Sequence, residues 1–174
     1  MISLLRLFES KDQILYCDMD GVLTDFNRTI KKLGFKGVVP PTNPEEKKMT
    51  WSFVKNLGPK FWSSMEWLPE GKRLWELIQP YNPIILSSSG KGKIAEQGKE
   101  GKMEWIKREL GNKYADSAII VNTHGKTKYA SSNSILIDDD EMKNIVPWRN
   151  AGGIGILHKN NSATLGQLKK VMKG

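Results

Sequence analysis

Five short apolar runs set the strongest limit on how this chain folds. They lie at residues 14–17, 83–86, 118–121, 134–137 and 153–157. Each is too short for a buried helix and the right length for a strand covered on both faces. Helical periodicity fills most of the gaps. Leu74, Leu77 and Ile78 recur at helical spacing, as do Met103, Ile106 and Leu110, and Gly111 then stops the second helix. Strands alternating with helices predict a parallel sheet joined by right-handed crossovers. The expected class is α/β, a Rossmann-like three-layer sandwich. With 174 residues, the chain fits one domain, able to build a core without staples.

One connection breaks the rhythm. Residues 18–82 separate the first two runs, far more than a crossover needs. The stretch from about 28 to 70 holds Pro40, Pro41, Pro44 and Pro59 together with Trp51, Phe53, Phe61, Trp62 and Trp67. It is too short for a core of its own, and a small inserted cap over the sheet edge is expected. Residues 1–13 read as a first helix or cover segment, not a signal peptide. No apolar run approaches the ~20 residues of a membrane span. Cys17 is the single cysteine, so no intrachain disulfide forms; it reads as a packed strand residue and suits a cytoplasmic setting.

In open α/β sheets, sites lie beyond the C-terminal strand ends. Asp18 and Asp20 follow the first run, and Ser87, Ser88 and Ser89 follow the second. Asn122, His124, Lys126 and Lys128 lie near the third, and Asp138, Asp139 and Asp140 follow the fourth. Four consecutive strand ends thus deliver carboxylates, hydroxyls and lysines. Asp18 and Asp20, two apart in an extended segment, face one side, and their mutual repulsion is relieved by a divalent cation or a retained proton. Asp138 or Asp139 would complete an oxygen-rich Mg²⁺ site, and Gly21 lets the chain turn after the pair. His124 reads as a loop residue, because no second histidine stands at ligand spacing.

The segment Asp18-Met19-Asp20-Gly21-Val22-Leu23-Thr24-Asp25 resembles the first motif of the haloacid dehalogenase (HAD) superfamily of phosphohydrolases. Ser87, Lys128 and the Asp138-Asp139 pair follow in the family's order, so the resemblance covers nearly the whole chain. Within the superfamily the chain is most similar to the 5'(3')-deoxyribonucleotidases, through residues 18–26, 61–71 and 105–111 and the step from Lys128 to Asp138. The resemblance implies that Asp18 attacks phosphorus and that Asp20 protonates the leaving oxygen, then activates water. Ser87 and Lys128 hold the phosphoryl group. Mg²⁺ binds Asp18, the Asp20 backbone carbonyl and the Asp138-Asp139 pair. Lys126 is the alternative to Lys128, and the spacing to Asp138 favours Lys128. Phe26, Trp62, Ser88 and Lys126 are the expected substrate contacts.

A net charge of +8 favours an anionic partner, although Glu96, Glu100, Glu104 and Glu109 interleave the lysines of residues 91–113 as on a solvated helix face. The expected substrate is a small phosphate ester, a nucleoside monophosphate. The same catalytic set would serve a phosphatase of DNA or RNA ends, and a non-catalytic phosphate-binding module is the third reading. A P-loop kinase is excluded: Gly125-Lys126-Thr127 resembles part of its motif, but Ile120 stands where glycine is required.

Overall fold

The computed structural model describes residues 13–172. The first helix or cover segment expected at residues 1–13 lies, apart from Gln13, outside them. All five apolar runs form strands: β1 (Ile14–Cys17), β4 (Ile84–Ser88), β5 (Ile119–Val121), β6 (Ser134–Asp138) and β7 (Ile154–Leu157). They build one parallel sheet in the order β5-β4-β1-β6-β7. Tyr16 stands opposite Ile84 on one side and Leu136 on the other.

Strand alternation divides the core between two faces. Leu15, Cys17, Ile85, Ile135 and Ile137 point to one face. There they meet Leu74, Trp75 and Ile78 of α4 (Gly71–Ile78), Trp105 and Ile106 of α5 (Gly92–Glu109), and Leu168 of α8 (Asn161–Met172). Tyr16, Leu86 and Leu136 point the other way, onto Ile145 and Trp148. Trp148 belongs to α7 (Val146–Asn150), with its ring edge-on to Tyr16 at 5.6 Å. This is the expected three-layer, Rossmann-like α/β architecture. A short helix absent from the sequence reading, α6 (Asn112–Ser117), follows Gly111. Among the described residues, no helix is long and apolar enough to cross a membrane.

Between β1 and α4 the chain forms α1 (Phe26–Lys32), α2 (Pro44–Leu57), α3 (Pro59–Ser63) and a two-stranded antiparallel pair, β2 (Thr24–Asp25) with β3 (Glu66–Trp67). Local chemistry sets the helix starts. Asp25 caps α1 by accepting from the Arg28 amide at 2.9 Å, and Asn43 caps α2 through Glu46, just before Pro44. These elements bury Ile30, Val54, Phe61 and Trp62 in the same core as one sheet face.

α3 and α5 approach each other closely. A Cβ placed on Gly101 would stand 2.2 Å from the Pro59 carbonyl oxygen and 2.6 Å from the Trp62 Cβ. Glycine at this position lets two helices meet nearly backbone to backbone. In a free helix, Gly101→Ala would add ~1 kcal/mol of stability. Here overpacking, which typically costs ~1–3 kcal/mol, dominates. Gly101→Ala is therefore expected to lower the urea midpoint; an unchanged or raised midpoint would show that α3 yields freely.

Candidate active site

β1 lies at the point where the sheet's strand order reverses, with β4 on one flank and β6 on the other. Its C-terminal end therefore opens into the crevice where such sheets place their sites. Asp18 emerges there, buried, with its amide held by the Ile137 carbonyl at 2.9 Å. The chain then turns tightly, as the Met19 carbonyl accepts from the amides of Leu23 and Thr24. Gly21 takes φ +79°, and a Cβ there would collide with the Asp139 carboxylate at 2.1 Å. Glycine is thus required twice over, for the turn and for the approach of Asp139.

Lys126 lies in a single 3₁₀ turn, Lys126–Tyr129. Its side chain is 3% exposed, and its ammonium stands 2.8 Å from Asp18 Oδ1 and 2.6 Å from Asp138 Oδ2. Asp138 Oδ1 accepts from the Asp140 amide and from Asn144 Nδ2. Burial works against the charged ammonium, but Asp18 and Asp138 outweigh it and raise the Lys126 pKa. Asp138 is also held above the ordinary carboxylate range, by burial first and by Asp18 second, with Lys126 pulling the other way. Asp139 is exposed as a residue, yet its carboxyl faces Gly21; desolvation, then repulsion from Asp18 and Asp138, push it up to about 7.

Carboxylate oxygens of Asp18, Asp138 and Asp139 lie within 4.8 Å of one another. Three carboxylates face one ammonium, so two negative charges are left over when all are ionised. That surplus and the all-oxygen donor set fit a hard divalent cation such as Mg²⁺. The Asp20 carboxylate is not part of this cluster. Thr24 Oγ1 donates to one of its oxygens at 3.0 Å, and the Lys102 ammonium is bound to the other.

Lys102 is the residue the sequence reading missed. It sits mid-α5, is fully buried, and also donates to Ser87 Oγ at 3.0 Å and to the Ser88 carbonyl at 2.6 Å. Its ammonium lies 5.0 Å from the Trp62 ring centroid. The signal was in the spacing: Gly98, Lys102 and Trp105 share one stripe with Gly101 and Ile106, so this lysine interrupts the buried face of α5 instead of decorating its solvated one.

The other expected residues divide between two cavities. Phe26, Trp62 and Ser88 line a cavity of about 330 Å³ with Asp20, Trp51, Ser89 and Gly90. Phe26 lies 5.7 Å from Trp51 and 5.0 Å from Phe61, centroid to centroid. Lys128 does not reach Asp18. The ten-residue spacing to Asp138 selected it, but the lysine beside Asp18 and Asp138 is Lys126, while Lys128 is exposed in a different cavity. The reason is geometric: at three residues per turn, positions two apart point in different directions, so only one lysine of this turn faces inward.

No protein-family model and no curated relative matches the chain. Among solved structures it is similar to a HAD-superfamily hydrolase from Ehrlichia chaffeensis, at 14% identity and TM-score 0.48 over 91% of this chain and 95% of that one. It is also similar to a hydrolase from Streptococcus pneumoniae TIGR4, at 13% identity and TM-score 0.45 over 93% of this chain and 98% of that one.

The Asp139 environment has a measurable consequence in metal-free protein. A carboxyl whose folded pKa is raised favours the folded state at low pH and loses that advantage as pH rises through the folded value. Asp139→Asn is therefore expected to be more stable than the parent at pH 8, by on the order of 1 kcal/mol once solvent screening is allowed for. The difference should shrink as pH falls through the folded value and vanish only at ~pH 3, below the ordinary aspartate pKa of about 3.9, where the carboxyl is protonated in both states. Urea unfolding in chelator at both pH values measures it, and equal stability at pH 8 would contradict the crowding of charge at this site.

Proposed function

We propose that this chain is a Mg²⁺-dependent phosphomonoesterase of the HAD type, acting through a phosphoaspartate on Asp18, with nucleoside monophosphates as substrates and deoxynucleotides preferred. The observation that carries the reading is the bridge made by Lys126 between Asp18 and Asp138, beside Asp139. An arrangement that holds an anionic nucleophile against an ammonium suits attack on an anionic phosphoryl group.

In the proposed mechanism, Asp18 attacks phosphorus and the bond to the ester oxygen breaks. Asp20 gives that oxygen a proton. Water then attacks the phosphoaspartate, returning its proton to Asp20 and freeing phosphate and Asp18. Lys126 offsets charge on the phosphoryl oxygens throughout. Lys102 orients Asp20 and keeps Ser87 and the end of β4 in register with it. Asp18, Asp138 and Asp139 would hold Mg²⁺, which when bound neutralises phosphoryl charge and lets the carboxylate approach. The residue 28–70 insertion is read as a cap over the strand ends, with Phe26, Trp51 and Trp62 offering aromatic faces to a base beside Asp20.

Asp18→Asn preserves shape and removes the attacking anion, so turnover should fall by roughly 10⁴-fold or more with the circular dichroism spectrum unchanged. Chelation should silence the parent enzyme reversibly. Near-normal turnover in Asp18→Asn would rule out the nucleophile, and full activity in excess chelator would rule out the metal.

Base stacking is tested separately. Trp51 is partly exposed and lines the cavity, so its removal spares the core better than removal of Trp62. Stacking is worth ~1–3 kcal/mol per base. Trp51→Ala should raise KM for a deoxynucleoside monophosphate by about fivefold or more and leave glycerol phosphate unaffected. Equal effects on both substrates would remove the base from this cavity.

A further inference from the structure

A second cavity, of about 510 Å³, adjoins the first. It lies between the first half of α5 and the C-terminal end of β5, and extends under the loop into the Lys126–Tyr129 turn. Ile120, Val121 and Tyr129 give it an apolar side. Lys99, Lys128, His124, Asn122 and Ser89 supply polar groups, and Glu96 is the single carboxylate of the lining.

Three observations separate this place from an ordinary basic surface. Lys99 and Lys128 come from different elements, and neither makes an ion pair among the described residues. Ser89, just after β4, lines both this cavity and the aromatic one beside Asp20, so the two are neighbours. The loops that frame them are tied together. The Ser89 amide donates to the Val121 carbonyl at 2.9 Å, and the Thr123 amide donates to the Gly90 carbonyl at 3.3 Å. The sequence reading gave Lys128 a role at the phosphoryl group; the structure leaves it, His124 and Asn122 around a separate concavity.

We propose that this cavity binds a second phosphate carried by the nucleotide, beyond the one processed at Asp18, so that nucleotides bearing a second, separate phosphate bind better than the monophosphates named above. The inference rests on the phosphatase reading above. Two uncommitted ammonium groups suit a dianion, and the volume exceeds what a lone phosphate fills, leaving room for an attached sugar beside the apolar side. Two sources carry this chemistry: a nucleoside 3',5'-bisphosphate, or a 5'-phosphorylated strand whose next phosphodiester enters the cavity.

The test is calorimetric binding to Asp18→Asn protein with Mg²⁺, using a deoxynucleoside 5'-monophosphate, its 3',5'-bisphosphate and a 5'-phosphorylated dinucleotide. The second phosphate should tighten binding by about fivefold or more at low salt, less as salt rises. In Asp18→Asn carrying Lys99→Gln and Lys128→Gln, with an unchanged circular dichroism spectrum, that ratio should fall to near one. A dinucleotide that outbinds the bisphosphate assigns the site to strand ends, and the reverse assigns it to the small bisphosphate. A ratio near one with the lysines intact overturns the proposal. So does a ratio that survives their removal, or failure of every ligand to bind. Because the readout is a ratio of binding constants, it is separate from turnover: an Asp18→Asn protein that stayed active would overturn the nucleophile and leave this ratio to be judged alone.

Discussion

The buried ammonium of Lys126 is the interaction on which the site depends. Parallel strands carry Asp18 and Asp138 to the same sheet edge, where the pairing of β1 with β6 leaves them side by side. Two buried carboxylates with no cation between them would be strongly unfavourable, and removing one partner of a buried ion pair costs roughly 3–5 kcal/mol. Lys126 answers both with one group. It does not answer Asp139, whose carboxyl joins the same cluster against Gly21. The protein therefore keeps a local excess of negative charge, which is a poor arrangement for stability alone and a good one for gathering a divalent cation.

A second buried lysine performs a different task. Lys102 comes from α5, and its contacts reach Asp20 after β1, Ser87 and Ser88 on β4, and the ring of Trp62 on α3. α5 approaches α3 closely because Gly101 has no side chain. The same helix therefore seats the aromatic elements and orients the carboxylate beside them. One side chain, Lys102, thus touches both the Trp62 ring on α3 and the Asp20 carboxylate.

Much of the fold was legible from the chain. The five apolar runs became the five parallel strands within one or two residues at their ends, because strands buried on both faces need continuous apolar sequence. Asp18, Gly21 and the Asp138-Asp139 pair were legible for a related reason: polar residues that directly end such strands have few places to go except the open edge of the sheet. Less was visible in the lysines. Their long side chains reach in any direction, so spacing along the chain says little about which one turns inward. Lys126 and Lys128 differ only by their angle on one 3₁₀ turn, and Lys102 stood among charges that resembled a solvated helix face.

What the sequence determined by itself was the set of strands, their hydrophobic faces and the acidic residues that end them, since these follow from local patterning and from where a parallel sheet opens. Tertiary structure alone decided which cations meet which carboxylates. Lys126 joins Asp18 and Asp138, Lys102 joins Asp20, and Lys99 and Lys128 are left to face a neighbouring cavity. The physical reason is that a charge buried with its partner is placed by the helix and turn geometry of segments distant in sequence. A lysine 82 residues from its aspartate can be found only once the backbone between them is folded.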